Sequence, residues 1–227
     1  AGWIGISTEM AMMISFAIVA VWWIAATIPL LKTYKQKHYI TRQSKAIQDS
    51  FKRLGITLKN VRNEKKIFLF LLAFFFYIDG VYTIIDMATA YGTALGLDST
   101  GLLLALLVTQ LVAFPFAILF GRLSNRYDTE KMILICIAAY FGIAVFAMFL
   151  KEQWQFWFLA ILVGMFQGGI QALSRSYFTK IIPAEKTGEY FGLMDICGKG
   201  ASFLGTIVIS LVSQLTGQVN IGVGAIS

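Results

Sequence analysis

Six polar side chains stand inside stretches that are otherwise apolar: Asp79, Asp86, Gln167, Gln171, Asp195 and Lys199. Their types are those that hold ions or hydrogen-bonding solutes. In lipid a central Asp or Lys costs about 2.5–3.5 kcal/mol on insertion scales, so such residues face a bundle interior or an aqueous cavity. Asp79 and Asp86 are seven apart, on nearly one face of a helix, and Gly80 beside Asp79 is a point where that helix loosens or packs closely. The two form an acidic stripe suited to a cation, a proton or an amine. Alternatively, Asp79 is satisfied by a neighbouring helix and Asp86 caps the outer end. Asp195 precedes Lys199 by four, the favourable order for a pair on one helix. These two either neutralise each other or contact a solute, and a pair from Asp79 to Lys199 is a third arrangement. In Gly164-Met-Phe-Gln167-Gly-Gly-Ile-Gln171 the two amides share a face, while Gly164, Gly168 and Gly169 let another backbone or a ligand come close. We expect a cavity lined by Gln167 and Gln171.

The same inventory argues against an enzyme. Aspartyl proteolysis within a membrane needs Asp residues on two facing helices, whereas Asp79 and Asp86 share one. The single histidine, His38, stands in a basic stretch without a His-Glu-x-x-His motif, and no nucleophile and base can be assembled. Cys136 and Cys197 both fall in apolar segments and read as small packing residues, so no disulfide framework, metal site or cofactor is indicated.

The elements that carry these residues are long. With 58 % hydrophobic and 14 % charged residues and a mean hydropathy of +0.72, the chain has too little polar surface to stay in water. A hydrocarbon core about 30 Å thick takes roughly 20 apolar residues of helix. Six windows reach that length: Met10–Leu31, Ile67–Ala90, Gly101–Phe120, Met132–Leu150, Trp154–Ser174 and Tyr190–Ser213. Gln214 to Ser227 reads as a turn and the start of a further span.

Between the first two windows, 32–66 holds eleven Lys/Arg against two acids, Asp49 and Glu64. By the positive-inside bias so basic a linker is cytoplasmic, and the other spans orient by alternation. The linkers Tyr91–Thr100 and Lys151–Gln153 then fall outside with one basic residue, while Gly121–Lys131 and Arg175–Gly188 fall inside with six. Seventeen of the nineteen Lys/Arg lie on that one side, which reads as topology and not as a nucleic-acid footprint. Trp154 and Trp157 sit near a span end, as an aromatic belt places them, while Trp22 and Trp23 are a little deep in the first window for that role. Within the basic stretch Ile47, Phe51, Leu54, Leu58 and Val61 recur at helical spacing, predicting an amphipathic helix on the inner interface with anionic headgroups against residues 44–62.

One inner linker carries a family resemblance. Gly121-Arg-Leu-Ser-Asn-Arg-Tyr-Asp-Thr-Glu-Lys131 resembles the Gly-x-x-x-Asp-Arg-x-Gly-x-Lys loop of major facilitator superfamily transporters. It departs from that loop at Asn125, where the pattern has Asp, at Asp128, where it has Gly, and in register at its end, where Glu130 takes the pattern's Lys position and Lys131 follows it. Three further stretches are similar to the branch that includes the vacuolar amino-acid effluxers of autophagy and their bacterial relatives. They are Tyr77-Ile-Asp-Gly-Val-Tyr-Thr-Ile-Ile85, Gln167-Gly-Gly-Ile-Gln-Ala-Leu-Ser-Arg-Ser-Tyr-Phe178 and Glu189-Tyr-Phe-Gly-Leu-Met-Asp-Ile-Cys-Gly-Lys199. The resemblance, running from about Met10 to the end, implies an all-α polytopic membrane protein holding six complete helices, the sixth to the eleventh, of a twelve-helix fold. Residues 1–31 would then be the last helix of the N-terminal half, 32–66 the cytoplasmic linker with its amphipathic helix, and 67–227 the C-terminal half truncated in its last helix. The chain opens Ala-Gly-Trp and stops at Gly-Ala-Ile-Ser, and we expect a fragment whose N-terminal half belongs to the same protein.

The function that follows is secondary transport of a small solute, amino acids in the efflux direction by the resemblance, in a multi-pass cell membrane such as a bacterial inner membrane. Two half-bundles would rock about a midplane site, with a proton or another ion as the coupling partner. The spans of Asp79 and of Gln167 and Gln171 would line the cavity. Gly121, Arg122, Asn125, Arg126, Asp128 and Lys131 would form the cytoplasmic gate. A receptor or scaffold that keeps a transporter-like fold without transporting is the alternative.

Overall fold

A computed structural model describes residues 7–35, 46–217 and 221–222, apart from the side chains of Thr8 and of 46–49. Lys37, His38, Arg42 and Lys45 of the basic stretch, the side chain of Ile47, and most of the tail expected to begin another span lie outside these residues. The described elements are all helical. They fall into two compact units, Ala1–Ser44 and Lys45–Ser227.

The first unit is the helix α1 (Thr8–Thr33), capped by Ser7, whose hydroxyl accepts from the Met10 N–H at 3.3 Å. Lys32 falls in its last turn, where a cation meets the helix's negative end.

The second unit begins with the amphipathic helix α2 (Ala46–Asn63), followed by α3 (Lys65–Ala94), α4 (Ser99–Leu123), α5 (Thr129–Met148), α6 (Gln153–Ile181) and α7 (Thr187–Thr216), with a single 3-10 turn at Ala184–Lys186. Together with α1, the helices α3 to α7 make six that are long and apolar enough to cross a membrane among the described residues. Five of the six predicted windows each sit inside one helix, and those helices run further at both ends; the sixth, Met132–Leu150, overruns α5, which stops at Met148 with Phe149 as its C-cap. Capping groups, not hydropathy, set several of these ends. Asp98 accepts from the Gly101 N–H at 2.7 Å and starts α4, and Asp128 accepts from the Glu130 N–H at 3.1 Å and starts α5. At the start of α6 the Gln155 amide oxygen accepts from the Lys151 and Glu152 N–H groups at 2.8 and 3.0 Å. The stop of α7 is Gly217 at φ +68°, whose N–H closes onto the Ser213 carbonyl at 2.9 Å.

The connections sort to two ends of the bundle as alternation expects. At one end the Asp98 N–H donates to the Gln153 Oε1 at 3.2 Å, and the Tyr91 hydroxyl donates to the Ala147 carbonyl at 2.6 Å. At the other, the Tyr177 hydroxyl donates to Glu130 at 2.6 Å and the Lys180 ammonium to the Thr129 hydroxyl at 3.1 Å. Lys66 also stands over the Tyr177 ring there. Arg122, Arg126, Lys131, Lys180 and Lys186 gather at this second end, and Lys151 alone is at the first.

Glycine decides how α4 and α6 meet. A Cβ on Gly164 would stand 2.7 Å from the Thr109 carbonyl oxygen, and one on Gly168 would stand 2.7 Å from that of Ala113. Gly169 receives the Phe120 ring, where a Cβ would come to 2.5 Å. The space these glycines leave is therefore filled by a neighbouring helix, the first of the two occupants the sequence allowed. Close approach of this kind holds apolar helices together in lipid, where no hydrophobic force acts between them.

Candidate functional site

The six candidate residues do not gather in one place. Gln171, Asp195 and Lys199 line a cleft of about 210 Å³ between α3, α6 and α7, with Phe74, Ile78, Tyr82 and Arg175 among its other walls. On α3 the residues 74, 78 and 82 turn one face to it; Asp79 lies to the side and is not part of the lining.

Within the cleft, Asp195 reaches the Arg175 guanidinium at 3.3 Å across two helices. The pair expected from spacing, Asp195 to Lys199, is not the one formed, and neither is Asp79 to Lys199. The physical reason is reach: Arg175 enters from α6 and brings one guanidinium nitrogen onto the Asp195 Oδ1 from the facing helix. Both members are about half exposed, at 56 and 54 %. Lys199 is thereby left as a cation without an ion-pair partner among the described residues. Two cations and one acid give the cleft a formal excess of +1, with the Gln171 amide and the Tyr82 side chain beside them.

Asp79 is engaged elsewhere. Its Oδ1 accepts from the backbone N–H of Gly205 on α7 at 3.0 Å and more weakly from the Thr83 hydroxyl at 3.3 Å. Gly205 leaves the room for this contact, since a Cβ there would stand on the Asp79 carboxylate and the Thr83 hydroxyl and one of them would have to shift. Seven residues on, Asp86 accepts from the Ser202 hydroxyl at 2.9 Å. Both acids of the α3 stripe thus face α7, and Asp79 takes the arrangement in which a neighbouring helix satisfies it.

Gln167 stands apart from Gln171. Its amide oxygen is buried without a hydrogen-bond partner among the described residues, and it does not line the cleft. The six loop residues Gly121, Arg122, Asn125, Arg126, Asp128 and Lys131 are all exposed at the basic end, where Asp128 also caps α5.

Sequence reasoning missed Arg175, Ser202 and Gly205. Arg175 was counted with an inner linker because it follows the apolar window. Gly198, Ser202 and Gly205 recur at helical spacing on α7, and that small-residue face was the available sign that another helix comes close.

Comparison with known proteins fits this architecture. The family model described as "Vacuole effluxer Atg22 like" matches residues 4–226. The chain belongs to that family. Among its relatives, YxiO of Bacillus subtilis (strain 168), named an uncharacterized MFS-type transporter, is 47 % identical over 215 residues, covering 95 % of this chain and 50 % of the relative. Autophagy-related protein 22-2 of Penicillium rubens is 26 % identical over 246 residues, covering 96 % of this chain and 40 % of its own length. Autophagy-related protein 22 of Yarrowia lipolytica is 25 % identical over 245 residues, covering 92 and 41 %. The Atg22-like chain spans half, or somewhat less, of the length of the curated relatives it matches. These relatives carry transporter and autophagy names rather than enzyme names.

Proposed function

We propose that this chain supplies the sixth helix, the cytoplasmic linker and most of the C-terminal half of a secondary active transporter, which moves a small solute across a cell membrane by alternating access. The observation that carries the reading is the cleft between α3, α6 and α7. Arg175, Asp195 and Lys199 are charged inside spans, and such charges are kept in a membrane where they meet a solute, water or one another. The N-terminal half of the same protein closes the cleft on its open side. Amino acids, exported, are the solute class proposed: the Lys199 ammonium takes a carboxylate, Asp195 offers its free oxygen to an amine, and Gln171 adds a hydrogen bond.

In this reading Asp79 is the coupling group. Protonation weakens its hold on the Gly205 N–H and frees α7 to move against α3. Arg122, Arg126 and Lys131 pair with acids or helix C-termini when the inner side closes, and the basic linker faces the cytoplasm of a bacterial inner membrane. The first arm of the test, accessibility from the two sides, needs no known solute. In the full-length protein with its native cysteines replaced, a cysteine at Gln171 is probed with impermeant thiol reagents from each side. Labelling from both sides, shifting with solute or pH gradient, supports alternating access. Labelling from one side only, together with no saturable flux in proteoliposomes, points to a receptor or scaffold instead.

A further inference from the structure

The helix α2 divides its apolar residues between two surfaces, a split that hydrophobic spacing alone did not give. Leu54, Thr57 and Val61 turn to the bundle. Val61 and Thr57 are buried, at 2 and 3 % exposed, and the Thr57 hydroxyl donates to Glu189 in the first turn of α7 at 2.7 Å. Phe51 and Leu58, from the same predicted stripe, are turned away and stand 72 and 61 % exposed. Positions 51, 55, 58 and 62 follow helical spacing, so Phe51, Gly55, Leu58 and Arg62 form one outer strip, with Lys52 and Lys59 exposed along its edge.

Position and charge together name what this strip meets. One residue, Glu64, separates α2 from Lys65, where the span α3 begins, so α2 is held at the level where spans leave the bilayer. The strip is apolar in its centre and basic at its border, and among the described residues no acid lies on it. We propose that this strip rests on an acidic phospholipid surface, with Phe51 and Leu58 at the acyl boundary and Lys52, Lys59 and Arg62 on headgroup phosphates. This contact stands independently of which solute the cleft takes. Because the opposite face of α2 holds Glu189, lipid on the strip braces the start of α7, the helix that carries Asp195, Lys199 and Gly205.

The test uses the full-length protein with one cysteine, at Gly55, where an added side chain meets nothing within 4 Å. It is labelled with an environment-sensitive fluorophore and placed in nanodiscs of phosphatidylcholine, with or without phosphatidylglycerol. The expected result is a blue-shifted, brighter emission that grows with phosphatidylglycerol and is reversed as salt rises from about 0.05 M to about 0.5 M, since the screening length then shrinks severalfold. Replacing Lys52, Lys59 and Arg62 together by Gln weakens the preference for the acidic lipid on the order of 100-fold, at roughly fivefold per basic residue. Phe51→Ser lowers emission in both lipids. Emission that ignores phosphatidylglycerol and salt overturns the proposal. A blue shift in detergent that grows with protein concentration does the same, in favour of a second copy on the strip. Should the triple variant fail to fold, the salt titration of the parent decides the point alone.

Discussion

Gly205→Ala is the sharpest probe of how α3 and α7 are joined. The added methyl has no room: it falls on the Asp79 carboxylate and the Thr83 hydroxyl, and Thr83 is fully buried. To admit it, α7 shifts and the 3.0 Å bond from the Gly205 N–H to Asp79 is stretched or lost. A hydrogen bond to a charged group is worth about 1.5–3 kcal/mol, and overpacking a fitted site costs about 1–3 kcal/mol more. Against these, replacing Gly by Ala within a helix returns about 1 kcal/mol. The net expectation is a loss of about 3 kcal/mol, read in the full-length protein, about twice this length, as a melting temperature lower by roughly 3–6 °C, because the unfolding entropy grows with chain length. Gly200→Ala is the matched control, since its Cβ would meet only the Phe75 ring at an ordinary 4.0 Å, and it should be neutral or slightly stabilising. The assay is thermal unfolding of the detergent-solubilised full-length protein, followed by tryptophan fluorescence. Combining Gly205→Ala with Asp79→Ala should show a coupling of about 1 kcal/mol or more between the two sites. Equal melting temperatures for the two glycine variants, or additivity within about 0.5 kcal/mol in the double variant, would refute the α3–α7 junction.

Further outcomes follow from the same geometry. Arg175→Gln and Asp195→Asn each change stability by less than about 1 kcal/mol, because the pair is half exposed and solvent-screened, yet each abolishes saturable flux in proteoliposomes. Asp79→Asn keeps an acceptor for the Gly205 N–H and melts near the parent, while flux loses its dependence on a proton gradient; unchanged coupling removes Asp79 from that role. Thr57→Val leaves the Glu189 carboxylate short of a donor and costs about 1–3 kcal/mol, visible as faster hydrogen exchange at the start of α7. Gly164→Leu drives a side chain into the Thr109 carbonyl and separates α4 from α6, so the variant should fail to yield monodisperse protein.

The spans, their number and their grouping by basic connections were legible in the sequence, because insertion into lipid is governed by composition and charge summed over some twenty residues. The amphipathic helix was legible for the same reason, as a periodicity within one segment. Membership of the Atg22-like family was also within reach, carried by short stretches around Asp79, Gln167 and Asp195. Pairing across helices was not. Asp195 chose Arg175 over Lys199, Gln171 entered the cleft while Gln167 did not, and the glycines of α6 met α4 instead of a ligand. Such choices depend on the rotation and height of each helix against its neighbours, fixed by side chains that can lie a hundred residues away. The 2 % exposure of Val61 beside the 61 % of Leu58 makes the point within a single stripe: spacing says that both residues are on one side of α2, and only the packed bundle says which of them α3 and α7 cover.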